Sequence, residues 1–88
     1  MKYAVDFKPS AAKDLRKLPI NIQKRIGKKL EHYLNQSEPL DYAVPLVGNG
    51  IVGDYRFRVG DYRVIFDLNN DRITVLMIEH RRDVYRKK

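Results

Sequence analysis

Cysteine is absent from the 88-residue sequence, and histidine occurs only at His32 and His80. Without cysteine the fold contains no disulfide bond, and no thiolate takes part in its chemistry. A zinc site would need both histidines, and their separation in the sequence disfavours one. The sequence therefore predicts a protein that works without a metal or another cofactor.

Long apolar segments are also missing. No run approaches the ~20 residues that a membrane-spanning helix requires. At the N-terminus, Lys2 and Asp6 interrupt the apolar residues before a secretory signal can develop. These features predict a soluble, cytoplasmic protein without a membrane partner.

Acidic residues are few relative to basic ones, with 11 Asp and Glu against 18 Lys and Arg and a net charge of +7. This balance favours an acidic partner, with nucleic acid as the first candidate, although a soluble protein can also be basic without binding one. A chain of 88 residues is long enough for one domain. We predict a single domain over residues 1–88, with any active site in a surface groove.

The first half of the chain predicts one strand and two helices. Tyr3, Val5 and Phe7 alternate with polar residues, as in a half-buried strand. Ser10 is the predicted N-cap of a short helix, which Pro19 ends. A second helix follows, with these apolar residues at helical spacing: Ile22, Ile26, Leu30, Tyr33 and Leu34.

The middle of the chain, from Ser37 to Gly53, is rich in proline and glycine. This composition predicts an irregular loop between the second helix and the next strand. Within it, Leu46 and Val47 are the residues expected to turn toward the core.

The second half predicts a three-stranded meander. Alternating segments at 55–59 and 62–66 flank Gly60-Asp61, which suits a two-residue hairpin turn. After a second turn at 69–71, a nearly continuous apolar run at 73–78 is typical of a central strand covered on both faces. The predicted fold is α+β in the order β-α-α-β-β-β, a small antiparallel sheet with a helical hairpin packed on one face.

Three arginines fall on one face of the predicted hairpin. With a turn at Gly60-Asp61, Arg58 lies opposite Arg63, and Arg56 lies on the same face two residues away. Opposed like charges destabilise a strand pair, so the arrangement needs a reason. Either each arginine pairs with a nearby acid such as Asp54 or Asp67, or the three guanidinium groups form a phosphate site.

The C-terminal residues add further candidates for phosphodiester chemistry. Cleavage of RNA through its 2′-hydroxyl needs a base, positive charge on the phosphorane and an acid. His80 has a suitable pKa for proton transfer, and Tyr85 can move a proton or stack on a base, although both can equally be structural. Arg81 supplies positive charge, and Arg82 and Arg86 are candidates for RNA binding.

Basic residues also cover the outer side of the second predicted helix. Lys24 and Lys28 are candidates for contacts with ribosomal RNA, although such residues are usually only a solvated face.

The chain resembles the RelE/ParE toxin superfamily over essentially its whole length. The resemblance is strongest in two segments: Asp54-Tyr55-Arg56-Phe57-Arg58-Val59-Gly60-Asp61-Tyr62-Arg63-Val64-Ile65-Phe66 and Ile78-Glu79-His80-Arg81-Arg82-Asp83-Val84-Tyr85. It implies the RelE-like fold and metal-independent cleavage of messenger RNA in the ribosomal A site. The resemblance also implies a cognate antitoxin. The toxin is not expected to bind DNA directly, except as part of the toxin–antitoxin complex at its operator.

The resemblance assigns catalysis to Arg56, Arg58, Arg63, Arg81 and Tyr85. The best-studied ribosome-dependent members carry lysines where this chain has Arg56 and Arg58, and arginine is a poor base. The general base is therefore left open. Two other functions also remain open: a ParE-like inhibitor of DNA gyrase, and an RNA-binding domain without catalysis.

Overall fold

The computed structural model describes residues 3–48 and 50–80, which form two helices, a short 3-10 helix and five strands. The helices are α1 (Pro9–Arg16) and α2 (Ile20–Leu34), and the 3-10 helix covers Pro39–Tyr42. The strands are β1 (Ala4–Phe7), β2 (Ala43–Pro45), β3 (Tyr55–Val59), β4 (Tyr62–Asn69) and β5 (Arg72–His80). In this part of the chain neither helix is long and apolar enough to cross a membrane.

The five strands form one sheet in the order β1-β5-β4-β3-β2. The contacts within the C-terminal meander and between β2 and β3 are antiparallel, whereas β1 pairs in parallel with β5. The predicted α+β fold with two helices on one face is confirmed, and the sheet is mostly rather than wholly antiparallel.

The predicted irregular loop from Ser37 to Gly53 is wrong in part, because it contains the 3-10 helix and β2. β2 is too short for an alternating pattern, and Pro45 ends it. Proline is tolerated there because β2 lies at the edge of the sheet. Leu46 is half-buried, but Val47 is 80% exposed, so its predicted inward orientation is wrong.

The helices pack against the aromatic face of the hairpin, and the core lies between them. Phe57 and Phe66 are almost fully buried, with ring centroids 4.7 Å apart. Tyr33 of α2 stacks on Phe57 at 5.0 Å. Stacked aromatic rings of this kind contribute about 0.5–1.5 kcal/mol beyond their burial, so the core holds β3 and β4 firmly beneath α2.

A bulge in β5 changes which side chains face the helices. Phe66 pairs with Val75, but Ile65 pairs with Met77, which leaves Leu76 without a partner on β4. Val75 and Ile78 are therefore both buried although they are three residues apart. The apolar run at 73–78 consists of two alternating segments out of phase, and β5 is interior as predicted.

Helix α1 hydrogen-bonds the edge of β5 beyond the end of β1. The backbone N–H of Lys8 donates to Val75, the Ser10 hydroxyl donates to the Leu76 carbonyl at 2.8 Å, and the Asp14 carboxylate accepts the Ile78 N–H at 3.0 Å. Ser10 is therefore not the N-cap that the sequence predicts. The helix begins at Pro9 with Lys8 as its cap, because the serine side chain is used by the sheet.

Candidate active site

The hairpin of β3 and β4 has the predicted register. Arg58 lies opposite Arg63, and Arg56 lies opposite Ile65. Gly60 occupies the turn with a φ of 58°, a conformation that glycine adopts without strain. Because side chains alternate along a strand, Arg56, Arg58 and Arg63 share the face of the sheet away from the helices. We call this surface the arginine face.

Tyr33 of α2 connects the helix layer to the strand that carries two of these arginines. Its hydroxyl donates a 2.9 Å hydrogen bond to the carbonyl oxygen of Arg58. Its ring lies between Phe57 and Tyr42, with centroids 5.0 Å and 5.3 Å away. Burial raises the pKa of the Tyr33 hydroxyl, so it keeps its proton for this bond.

Part of the arginine face forms the floor of a groove of about 480 Å³, which we call the arginine groove. Arg56 and Arg63 are half-buried in it, whereas Arg58 is exposed and lies outside its lining. The remaining described residues that line it are Leu46, Gly50, Ile51, Val52, Ile65, Met77 and Glu79. Two guanidinium groups thus lie beside an apolar wall, where charge interactions are screened less than in open water.

The loop that walls this groove is attached to the sheet through Asp54. The Leu46 N–H donates to the Asp54 carbonyl at 2.9 Å, and the Asp54 N–H donates to the Phe66 carbonyl at 3.0 Å. The Asp54 carboxylate accepts the Leu68 N–H at 2.9 Å. This carboxylate therefore has a structural task in the sheet, which weakens the alternative that it serves to neutralise an arginine.

Gly53 lets the loop approach the sheet closely. Its φ is +98°, and a Cβ at this position would lie 2.5 Å from Cγ2 of Ile65. Side chains other than that of glycine are strained in this conformation and have no room there. The depth of the groove thus depends on one glycine.

The β5 bulge decides which C-terminal residue reaches the arginine face. An unbroken register from the Asn69–Arg72 pair would place Ile78 opposite Arg63 and turn His80 toward the arginines. Because of the bulge, Glu79 lies opposite Arg63, and His80 lies opposite Tyr62 on the helix side of the sheet. The His80 ring meets the Tyr62 ring edge-on, with centroids 5.0 Å apart.

The structure thus unites some of the predicted site residues and separates others. Arg56, Arg58 and Arg63 share one face, but His80 does not join them. Sequence reasoning did not choose Glu79 as a site residue, since the bulge that exposes it to the groove leaves no clear mark in an apolar run. Four predicted residues lie outside the described residues: Arg81, Arg82, Tyr85 and Arg86.

The two predicted RNA-binding lysines lie elsewhere. Lys24 and Lys28 are exposed on the outer side of α2, beside Arg25 and Lys29. α2 packs on the sheet face opposite the arginines, so among the residues that the structure describes these lysines form a basic surface separate from the arginine face. We call the second one the lysine surface.

Comparisons with known proteins identify the class. A family profile described as the ParE toxin of type II toxin-antitoxin systems matches residues 5–85. The chain is 34% identical to toxin RelG of Mycobacterium tuberculosis over 89 residues, which cover 99% of this chain and 100% of that protein. Identity to toxin RelE3 of Methanocaldococcus jannaschii is 32%, over 90% of this chain and 91% of that one.

Solved structures agree with this result. The RelBE2 toxin-antitoxin complex of M. tuberculosis superimposes with a TM-score of 0.73 at 26% identity, covering 91% of this chain and 99% of that chain. The archaeal RelE-RelB complex of Pyrococcus horikoshii gives 0.69 at 30% identity, covering 92% and 97%. The chain therefore belongs to the RelE/ParE superfamily of type II toxins. Within that superfamily it is a RelE-family toxin.

Proposed function

We propose that this toxin is an endoribonuclease that cleaves messenger RNA in the ribosomal A site and so inhibits translation. The observation that carries the proposal is the pair of half-buried arginines, Arg56 and Arg63, in a walled groove on a rigid hairpin. Guanidinium groups bind phosphate through paired hydrogen bonds and stabilise the charge that develops on a phosphorane. No metal ion is needed for that task.

The reaction we propose uses the RNA's own 2′-hydroxyl as the nucleophile. Arg56 and Arg63 hold the scissile phosphate, and the exposed Arg58 steers the neighbouring backbone. Arg81 and Tyr85 are assigned to catalysis by the family resemblance. Lys24 and Lys28 are proposed to contact ribosomal RNA, because phosphate contacts dominate such binding.

We also propose a cognate antitoxin that binds the toxin and blocks its activity in the cytoplasm, where ribosomes and messenger RNA are found. Support comes from the relatives, since the structures from M. tuberculosis and P. horikoshii are toxin–antitoxin complexes. A basic chain with a net charge of +7 suits a partner with an acidic segment.

The test is primer extension on a reporter messenger RNA in a reconstituted translation reaction. We expect new 5′ ends at A-site codons when the chain is added, and none when ribosomes are left out. Intact messenger RNA in the complete reaction would contradict the proposal.

A second candidate is inhibition of DNA gyrase, which the match to the ParE profile favours. A supercoiling assay with purified gyrase distinguishes the two functions. Inhibited supercoiling together with intact messenger RNA would move the chain to the ParE branch.

A further inference from the structure

We infer that Glu79 is the general base of the cleavage reaction. This inference rests on the proposed endoribonuclease function and concerns the group that activates the 2′-hydroxyl. Arginine at positions 56 and 58 leaves that role unfilled, because a guanidinium group does not lose its proton under ordinary conditions. A carboxylate in the arginine groove fills it.

Glu79 lies among the arginines of the groove. It lies directly opposite Arg63 on the neighbouring strand, and it lines the arginine groove with Arg56 and Arg63. Of the described residues that line the groove, it alone carries a carboxylate, a kind of side chain that serves as a general base in enzymes. A phosphate bound by the two arginines would have its adjacent 2′-hydroxyl within the same small space.

His80 lies away from the arginine groove. Imidazole is the usual proton acceptor near neutrality, but this ring packs against Tyr62 on the opposite side of the sheet. One extra residue in β5, Leu76, is responsible for the exchange of the two side chains. Simple alternation along β5 would turn His80 toward the arginines and Glu79 toward the helices. The bulge reverses this, so that Glu79 faces the arginine groove.

The charges around Glu79 are compatible with this role. Arg63 of β4 is its cross-strand neighbour, Arg56 of β3 lines the same groove, and Arg58 lies opposite Arg63 outside the lining. On the other side of β5, the carboxylate of Asp14 in α1 accepts the N–H of Ile78, the residue before Glu79. The arginines outnumber the carboxylate, so the groove still attracts a phosphate.

The proton and electron movements balance without a further reactant. The Glu79 carboxylate takes the proton of the 2′-hydroxyl, and the 2′-oxygen forms a bond to the adjacent phosphorus. The bond between phosphorus and the 5′-oxygen breaks, and that oxygen keeps the electron pair and takes a proton from water. Glu79 then passes its proton to the resulting hydroxide, leaving a 2′,3′-cyclic phosphate and a 5′-hydroxyl end.

The test compares Glu79→Gln with Asp67→Asn in the reconstituted translation reaction. Both changes turn one carboxylate into an amide on the same face of the sheet, but Asp67 does not line the groove. General-base catalysis contributes about 10²–10⁴-fold, so we expect Glu79→Gln to lower the cleavage rate at saturating toxin by at least about 100-fold. Asp67→Asn should cleave like the unaltered chain.

Two readouts separate a base from a merely structural carboxylate. Removing a negative charge from a phosphate site should leave binding to the ribosome–mRNA complex equal or tighter. Turnover should therefore fall in Glu79→Gln while the apparent affinity does not fall. The pH dependence should also change. The Glu79→Gln rate should rise more steeply with pH than the rate of the unaltered chain, because hydroxide must then remove the proton.

The inference is overturned if Glu79→Gln cleaves within about threefold of the unaltered chain. It is also overturned if turnover, affinity and melting temperature all fall together with no change in the pH profile, since Glu79 would then only hold Arg63 in place. If the unaltered chain itself fails to cleave, the proposed function fails first and takes this inference with it.

Discussion

The arginine face and the lysine surface are both basic, but they differ in how their charges are held. Arg56 and Arg63 lie half-buried on paired strands above an aromatic core, beneath a loop attached through Asp54. Lys24 and Lys28 extend into solvent from one helix. Preorganised charge stabilises a transition state, whereas flexible exposed charge mainly speeds association and weakens with salt. Net charge alone does not distinguish the two.

The largest effect should follow from removing an arginine of the groove. Losing one preorganised donor typically costs about 10²–10³ in rate, and we expect that loss for Arg63→Ala. Primer extension time courses measure it. The Glu79 side chain opposite would then lose a cross-strand partner of opposite charge, so the melting temperature should be recorded as a control. A fully active Arg63→Ala chain would remove the distinction between the two surfaces.

The next effect should come from the loop that gives the arginine groove its wall. Gly53→Ala places a methyl group against Ile65 in a backbone conformation that suits glycine. We expect a loss of about 1–3 kcal/mol in the free energy of unfolding, measured by urea denaturation. Gly27 of α2 is the matched control, because a Cβ there meets nothing within 4 Å. Equal stability of Gly53→Ala and Gly27→Ala would contradict the close approach of the loop.

A smaller effect is expected where the helix layer meets the arginine strand. Tyr33→Phe removes the hydrogen bond to the Arg58 carbonyl and keeps the ring stacking, so stability should fall by about 0.5–1.5 kcal/mol. Burial raises the pKa of Tyr33 above its ordinary value of 10.0. The stability linked to the protonated hydroxyl is therefore fully present below pH 10.0 and is lost as the pH rises through the raised pKa. Unfolding measured with pH should show this alkaline decline only with tyrosine present.

The smallest effect should be on the lysine surface. Lys28→Ala should lower cleavage only a few-fold at low salt, with a weaker salt dependence than that of the unaltered chain. The rate measured over a salt series tests this. A loss as large as that of Arg63→Ala would show that the helix, and not the sheet, carries the chemistry.

The hairpin and its arginine face were predictable because a two-residue turn sets the register of both strands. The alternation of Tyr55, Phe57, Tyr62, Val64 and Phe66 then assigns the core face, and the structure has these pairs as predicted. The two helices were equally clear from the spacing of Ile26, Leu30 and Leu34, all of which are buried.

The exchange of Glu79 and His80 was not predictable from alternation. A bulge adds one residue to one strand, and Leu76 looks like any other member of the apolar run. The role of Ser10 was missed for a related reason, because its partner, the Leu76 carbonyl, is far away in the sequence. Both errors concern long-range backbone geometry rather than residue chemistry.

The central claim is that the sheet, and not the helix, carries the cleavage reaction. The most direct measurement compares two double variants, Arg56→Ala with Arg63→Ala and Lys24→Ala with Lys28→Ala, by primer extension on one reporter messenger RNA in reconstituted translation. We predict that the arginine variant leaves the message intact while the lysine variant still produces A-site cleavage. Cleavage by the arginine variant, with none by the lysine variant, would contradict the account.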